Sequence, residues 1–193
     1  MGSAAFYSLR VLTGRTAALL CGAILSYGSD ASAQAANEAT AKIQFIHYVA
    51  QYAIWPKDVL APQAKRFVLG VLGDNPFGDA LEAYFKGKSV KGREFVVKFF
   101  KTVEEVKDCH MLFIAASEKN DFAAILDELA DTSILTISDT DGFLQKNGMI
   151  FMFITPKSEI TGGLGWDINP EAMKKARLQI DPFFIEKARK YNR

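Results

Sequence analysis

Hydrophobic residues follow two different spacings along this chain, and the spacing changes from one segment to the next. Several short runs carry little charge, which is typical of strands buried on both faces of a parallel sheet. Between the runs, apolar residues recur every three or four positions, as on one face of a helix. The runs predict five strands, at residues 67–72, 94–100, 110–115, 134–137 and 149–154.

Helix boundaries are indicated by capping residues and prolines. Apolar spacing predicts a helix over residues 43–53, which Trp55-Pro56 ends. Asparagine or aspartate before proline favours a helix start, because the side-chain oxygen caps and proline needs no N–H at the first position. This pattern predicts helix starts at Asn75-Pro76, Asn169-Pro170 and Asp181-Pro182. Thr102 and Glu105 have capping-box spacing, and Ser117 is predicted to cap a helix over 122–129.

Alternating strands and helices predict an α/β fold. In the last third, the strand at 149–154 is followed by a turn and a glycine-interrupted strand at 159–168, which predicts an antiparallel hairpin. We therefore expect a single three-layer Rossmann-like domain, with a mostly parallel sheet, an antiparallel edge hairpin and helices on both faces.

The first residues have the pattern of a secretion signal. Arg10 and Arg15 precede an apolar run at 16–27, and Ala31-Ser32-Ala33 supplies the small residues that a signal peptidase requires. The run is short for a membrane span, and the bulky leucine before Cys21 does not fit a lipoprotein signal. We predict that residues 1–33 are a removed signal peptide and that 34–193 form the α/β domain.

Charge and glycine spacing argue against nucleic-acid and nucleotide binding. The 23 basic and 22 acidic residues nearly cancel, whereas nucleic acid requires a concentrated basic face. The turn from Gly73 to Gly78 lacks the lysine of a P-loop, and Asp74 would repel an anion there. Chain geometry alone explains these glycines.

Candidate catalytic groups are few. His47 and His110 lie in apolar elements, and neither has a second ligand at the spacing of a helical zinc site. The sequence has no Gly-x-Ser-x-Gly elbow, so we expect no enzyme, metal or cofactor. Asp139 and Asp141 lie in a loop that follows a strand, where a solvated turn is favoured over a calcium site. The alternative to a solvated turn is that Asp139 and Asp141 belong to a catalytic carboxylate site.

Cys109 is the only cysteine after residue 33, in a chain predicted to enter an oxidising compartment. It begins an apolar run, which favours a buried, unpaired and inert thiol. The alternative is an intermolecular disulfide.

Several stretches, taken in their order and spacing, resemble the periplasmic YfiR family across nearly all of residues 34–193. They are Ala41-Lys42-Ile43-Gln44-Phe45-Ile46 with Trp55-Pro56, Gly73-Asp74-Asn75-Pro76-Phe77, Cys109-His110-Met111-Leu112-Phe113-Ile114, Leu135-Thr136-Ile137-Ser138-Asp139 with Gly142-Phe143 and Gly148-Met149-Ile150, and Trp166-Asp167-Ile168-Asn169-Pro170-Glu171-Ala172.

The resemblance implies a periplasmic homodimer that represses an inner-membrane diguanylate cyclase by binding its periplasmic sensory domain. Repression would lower cyclic di-GMP and biofilm formation, and an outer-membrane lipoprotein would relieve it by sequestering the repressor. Family members can carry cysteine pairs, but Gly70 stands where the strand partner of Cys109 is expected. The chain also has Asn147 for the first of two usual glycines, Trp166-Asp167 for Phe-Glu, and Asp181 for serine.

A partner-binding surface can be hypothesised from aromatic and polar residues near strand and loop ends. Trp166 beside Asp167 could supply a contact anchor with a polar neighbour, or the tryptophan could pack under the final helices while the aspartate caps one. Asn169, Phe143 and Trp55 complete the candidate set. The alternative function is a periplasmic small-molecule sensor without catalytic activity.

Overall fold

The computed structural model describes residues 18–106, 108–155 and 163–190. Two compact units are distinguished, Met1–Asn37 and Glu38–Arg193. The described part of the first unit is helical, and all strands among the described residues belong to the second unit. The predicted signal peptide, 1–33, falls in the first unit, and its residues 1–17 lie outside the described ones.

The elements follow one another as the hydrophobic pattern predicts, with additional short strands. The helices are α1 (Ala18–Tyr52), α2 (Ala80–Phe85), α3 (Phe122–Glu128), α4 (Pro170–Lys175) and α5 (Pro182–Lys187). The strands are β1 (Ala53–Ile54), β2 (Arg66–Leu72), β3 (Ser89–Val90), β4 (Arg93–Phe100), β5 (Met111–Ile114), β6 (Leu135–Ser138), β7 (Ile150–Ile154), β8 (Leu164–Ile168), β9 (Gln179–Ile180) and β10 (Arg189–Lys190).

Most strands join one sheet in the order β10-β8-β7-β6-β5-β2-β4-β3, and β1 pairs separately with β9. The pairs from β4 through β7 are all parallel, whereas β8 is antiparallel to β7. This confirms a mixed α/β fold with a mostly parallel sheet. The antiparallel β7–β8 pair matches the predicted hairpin, whose turn at 156–162 lies outside the described residues. The Rossmann-like three-layer arrangement is not confirmed.

The sheet separates two hydrophobic clusters because successive strand side chains point to opposite faces. Phe67, Leu69 and Val71 belong to one cluster, which also contains buried side chains of α1, α2, α4 and α5. Val68 and Leu72 belong to the other, with those of α3. We name these the α1-side and α3-side cores. Helices therefore pack against both faces.

Two predicted helix starts are wrong, and two are confirmed. Asn75 does not begin a helix, because its Oδ1 accepts from the Phe77 N–H at 2.9 Å and its Nδ2 donates to the Gly78 carbonyl at 3.0 Å, which forms a turn. Ser117 does not cap α3, since a 3₁₀ helix at Ala116–Asp121 precedes it. Asn169 Oδ1 and Asp181 Oδ1 do accept backbone N–H groups at the starts of α4 and α5.

Besides the 3₁₀ helix at Ala116–Asp121, two shorter ones lie beside the strands. The first, Val103–Glu105, has the predicted capping box formed by Thr102 and Glu105. The second, Leu144–Lys146, ends at Asn147, whose φ of 72° lies in the left-handed region. The Asn147 N–H donates to the Leu144 carbonyl at 3.1 Å. This turn leads the chain into β7.

Candidate functional site

The loop that follows β6 is fixed by its own hydroxyl groups. Ser138 is buried, and its Oγ donates to the Ile114 carbonyl of the neighbouring β5 at 2.8 Å. The Thr140 N–H donates to the same Ser138 Oγ at 3.2 Å. One hydroxyl therefore joins the carboxyl ends of two parallel strands and turns the chain away from the sheet.

Asp139 in this loop forms an ion pair with Lys42 of α1. The Lys42 Nζ lies 2.7 Å from the Asp139 Oδ2, and the two side chains are only 21% and 15% exposed. Because partial burial removes water from both charges, each needs the other as its partner. The pair links α1 to the carboxyl edge of the sheet. The Asp139 carboxylate is therefore already neutralised by a lysine. Among the described residues, no cluster of three or more His, Cys, Asp or Glu could hold a metal ion.

Trp166 lies in the α1-side core. Its ring centroid is 5.2 Å from that of Phe45 on α1 and 4.9 Å from that of Phe184 on α5. The side chain is 4% exposed, and its Nε1 has no hydrogen-bond partner among the described residues. An unpaired buried donor costs about 1–3 kcal/mol, and the packing of the ring must offset this cost.

Asp167 and Asn169 are also buried, at 4% and 2% exposure. The Asn169 Oδ1 accepts the Ala172 N–H at 3.1 Å and so caps α4, while its Nδ2 has no partner among the described residues. The sequence left it open whether Asp167 caps a final helix; the cap of α4 is Asn169, as its position before Pro170 predicts.

Phe143 and Trp55 are core residues as well. Phe143 is fully buried and packs edge-on against Phe122 at 5.2 Å in the α3-side core. Trp55 packs against Phe67 at 5.1 Å, and its Nε1 donates to the His110 carbonyl at 3.0 Å. This bond joins the residue after β1 to the residue before β5.

The five sequence-predicted site residues are thus buried and are not brought together on one surface. Trp55 and Trp166 belong to the α1-side core, whereas Phe143 belongs to the α3-side core on the opposite face of the sheet. Buried side chains such as these can affect a partner only indirectly, by positioning the surface residues above them. Their partner-binding role stays a prediction.

Cys109 and Gly70 adjoin each other in the α3-side core. A Cβ placed on Gly70 would lie 2.9 Å from the Cys109 Sγ, and 2.8 Å from atoms of Leu112 and Phe100. Cys109 is a free thiol with 5% exposure, and burial raises its pKa to about 12. The thiol is therefore protonated and unreactive at neutral pH, as the apolar run indicates.

The side-chain contacts of His47 on α1 are not indicated by the sequence pattern. The His47 Nδ1 lies 3.2 Å from the Tyr84 hydroxyl, and its Nε2 lies 3.2 Å from the Gln51 Nε2. Burial, followed by the charge of Lys88, lowers the pKa of His47. Lys88 also sits 4.5 Å from the Tyr84 ring centroid. Tyr84 lies 37 residues from His47, so no local spacing could indicate the pair.

At the carboxyl ends of β2 and β5, the loops that follow the two strands are hydrogen-bonded to each other. The Ser117 Oγ accepts the Asp74 N–H at 3.0 Å and donates to the Glu118 Oε1 at 2.8 Å. Gly73 approaches this hydroxyl so closely that a Cβ on residue 73 would clash with the Ser117 Oγ. Two carboxylates at this turn oppose an anionic ligand.

A groove lies on the α3-side face of the sheet near the start of β2. It has a volume of about 470 Å³ and is lined by Lys65, Arg66, Lys98, Asp108 and His110, with Ala64, Val68 and Val96. The His110 Nδ1 accepts the Val68 N–H at 3.0 Å, which assigns the remaining proton of the neutral ring to Nε2. Burial and the Arg93 charge lower the pKa of His110.

Residues 39–189 match the sequence model of a family described as YfiR/HmsC-like. No curated protein matches the chain. In the part of the chain that the structure describes, no helix has the length and hydropathy needed to cross a membrane. The family match extends from the middle of α1 to β10, and so includes both cores.

Proposed function

The chain belongs to the YfiR/HmsC-like family, and on that basis we propose that it represses an inner-membrane diguanylate cyclase by binding the cyclase's periplasmic sensory domain. The family consists of periplasmic regulators rather than enzymes. The observation that carries the proposal is the match over residues 39–189. Repression would lower cyclic di-GMP and biofilm formation.

The residues of the site support a binding role. The loop carboxylate Asp139 is paired with Lys42, and the thiol of Cys109 is buried and protonated. These two titratable groups are thereby held in structural roles. A protein built in this way acts through its surface, because affinity between proteins comes from complementary surfaces.

The decisive experiment measures intracellular cyclic di-GMP in a strain that lacks this gene. We expect a rise that the complete gene reverses. A matched control gene lacking codons 2–33 would keep the α/β domain in the cytoplasm, and we expect it not to reverse the rise. An unchanged level in the deletion strain, or full reversal by the control gene, contradicts the proposal.

Direct binding is tested by co-purification with the periplasmic domains of the host's membrane cyclases. We expect one domain to be retained and expect an outer-membrane lipoprotein to displace it by sequestering the repressor. Failure of every cyclase domain to bind would reject the cyclase as the partner. N-terminal sequencing of the secreted protein tests the cleavage after Ala33.

A second candidate function is a periplasmic small-molecule sensor, and the basic groove favours it. Its volume of about 470 Å³ lies in the range of small-molecule sites, and Lys65, Arg66 and Lys98 place three cations on its lining. A ligand that binds only the folded state must raise the melting temperature. A thermal-shift screen of small anions tests this function, and a Lys98→Met variant should lose any shift that arises in the groove.

A further inference from the structure

The basic groove lies on a part of the α3-side face to whose lining no described α-helix contributes. Parallel strands are usually joined by a helix, so that both faces of a parallel sheet are covered. The connection from β4 to β5, residues 101–110, contains only the 3₁₀ helix Val103–Glu105 among its described residues. Arg66 on β2 and Lys98 on β4 are exposed, and Val96 is half-buried. The groove is therefore an open stretch of sheet.

His110 is fixed at one side of this groove by its bonds to β2. Its backbone N–H donates to the Val68 carbonyl at 3.0 Å, and its ring Nδ1 accepts the Val68 N–H at 3.0 Å. The ring stacks on Phe67, with the centroids 5.1 Å apart and an angle of 22° between the planes. The His110 carbonyl accepts the Trp55 Nε1–H and the Leu135 N–H, both at 3.0 Å. These contacts set the orientation and the tautomer of the ring before any ligand binds.

The Nε2–H of His110 is an available donor at the groove. It carries the proton of the neutral ring, because Nδ1 is occupied as an acceptor. It has no hydrogen-bond partner among the described residues, and it is not one of their buried unpaired atoms, so solvent reaches it. A ligand can therefore accept this hydrogen bond without first breaking a bond within the protein.

Basic side chains surround an apolar floor in this groove. Val68 stands opposite Val96 in the β2–β4 register. Arg66 lies two residues before Val68, and Lys98 lies two residues after Val96, so all four side chains point to the same face. Lys65 adds a third cation to the lining. The ion pairs among the described residues are formed by other cations, so these three charges are available to a ligand.

We propose that the basic groove binds a small organic oxyanion, either a carboxylate or a phosphate ester. The charged oxygens of the ligand accept from the His110 Nε2–H and from the cations of Arg66 and Lys98. The apolar part of the ligand lies over Val68 and Val96. This inference rests on the second candidate function, the small-molecule sensor, and names the ligand class and the residues that hold the ligand.

The lining selects for an anion with its charge at one end. Hydrogen bonds from cations to a carboxylate or phosphate are roughly twice as strong as those between neutral groups. Asp108 is the only carboxylate on the lining, and it opposes a second anionic group on the ligand. Glu94 stands opposite Arg66 in the register but does not line the groove. The rest of the ligand therefore meets an apolar floor.

Histidine NMR tests the site directly, because the chain has only two histidines. His110 lines the groove, whereas His47 lies on α1 and serves as an internal control. At pH 7.5 and low salt, benzoate and phenyl phosphate should shift the ring resonances of His110 in a saturable manner and leave those of His47 in place. Benzamide has the shape of benzoate without its charge and should shift neither. The tighter of the two anions identifies the ligand as a carboxylate or a phosphate ester.

Substitutions test the individual donors. Arg66→Met and Lys98→Met keep an apolar stem and remove the charge, and each should weaken binding of the anion by about tenfold. Lys119→Met is the matched control, since Lys119 is exposed on the 3₁₀ helix beyond the opposite end of β5, and its affinity should not change. His110→Asn keeps an oxygen that can accept the Val68 N–H but has no donor at the Nε2 position, so a thermal-shift titration should show weaker binding. Circular dichroism confirms that each variant is folded.

Unmoved His110 resonances overturn the proposal, as do equal shifts with benzamide, equal shifts of His47, or undiminished binding by the folded Arg66→Met and Lys98→Met variants. A neutral or cationic compound that raises the melting temperature while neither anion binds would overturn this ligand class and retain the sensor function. Repression of the cyclase is measured separately by cyclic di-GMP in cells, so its failure is distinguishable from failure of the groove to bind an anion.

Discussion

Replacing Gly70 by cysteine should give the protein a redox-dependent stability. The Cβ of residue 70 would lie 2.9 Å from the Cys109 Sγ. In a disulfide, the Cβ of one cysteine lies roughly 3 Å from the sulfur of the other, given the usual bond lengths and angles. The two positions are therefore placed to form a bond.

The expected magnitude combines two opposing contributions. Closing a loop of about 40 residues, from 70 through 109, stabilises by about 4 kcal/mol through the entropy of the unfolded chain. Against this, the added atoms crowd Leu112 and Phe100 at 2.8 Å, and overpacking costs about 1–3 kcal/mol. We expect oxidised Gly70→Cys to gain about 1–3 kcal/mol over the natural chain and the reduced form to lose about 1–3 kcal/mol.

Urea unfolding with and without a reductant measures this difference. Gly70→Ser is the matched control, because it adds a similar volume without a thiol, and we expect it to be destabilised in both conditions. Because Cys109 is buried and protonated, oxidation should be carried out during refolding. Two free thiols per unfolded Gly70→Cys chain after oxidative refolding would refute the geometric reasoning, as would a stability that reductant does not change.

Three further predictions concern the core and its histidines. Trp166→Ala should lower the free energy of unfolding by about 3–5 kcal/mol, and Trp166→Phe by clearly less, because phenylalanine keeps a ring and removes the unpaired Nε1; urea unfolding measures both, and equal losses would contradict this. Asn169→Ala should cost about 1 kcal/mol by removing the α4 cap, with Asn169→Asp as the cap-retaining control in the same assay. Burial lowers the pKa values of His47 and His110 below 6.5, so the unfolded chain binds more protons, and the stability present above that pH should fall as the pH drops through 6.5 and then through the folded-state pKa values. Unfolding at pH 7.5 and 5.5 tests this, and a His47→Gln variant with an undiminished pH dependence would exclude His47 as a source.

The strands were predictable because burial on both faces leaves a local signature. Uncharged runs such as 67–72 and 110–115 correspond to β2 and β5 to within one residue at either end. The two-residue strands β1 and β9 carry no such signature, because pairing partners more than 120 residues apart define them. The helix start predicted at Asn75-Pro76 is wrong because the Asn75 side chain can accept a backbone N–H in a turn as readily as at a helix start.

The candidate site was less predictable because residues distant in sequence decide burial and pairing. Nothing near Asp139 indicates that Lys42, 97 residues away, neutralises it. The aromatic residues Trp166 and Phe143 could be interpreted as contact or core from composition alone. Their burial follows from α1, α5 and α3, whose packing the local pattern does not specify.

The left-handed turn at Asn147 limits which substitutions this position accepts. Glycine adopts a φ of 72° without strain, and asparagine is among the few other residues that tolerate it. A change between these two residues therefore preserves the path of the chain into β7. The glycine that the family resemblance leads us to expect here would therefore be equivalent for the backbone, and the asparagine carries no information about which partner this chain recognises.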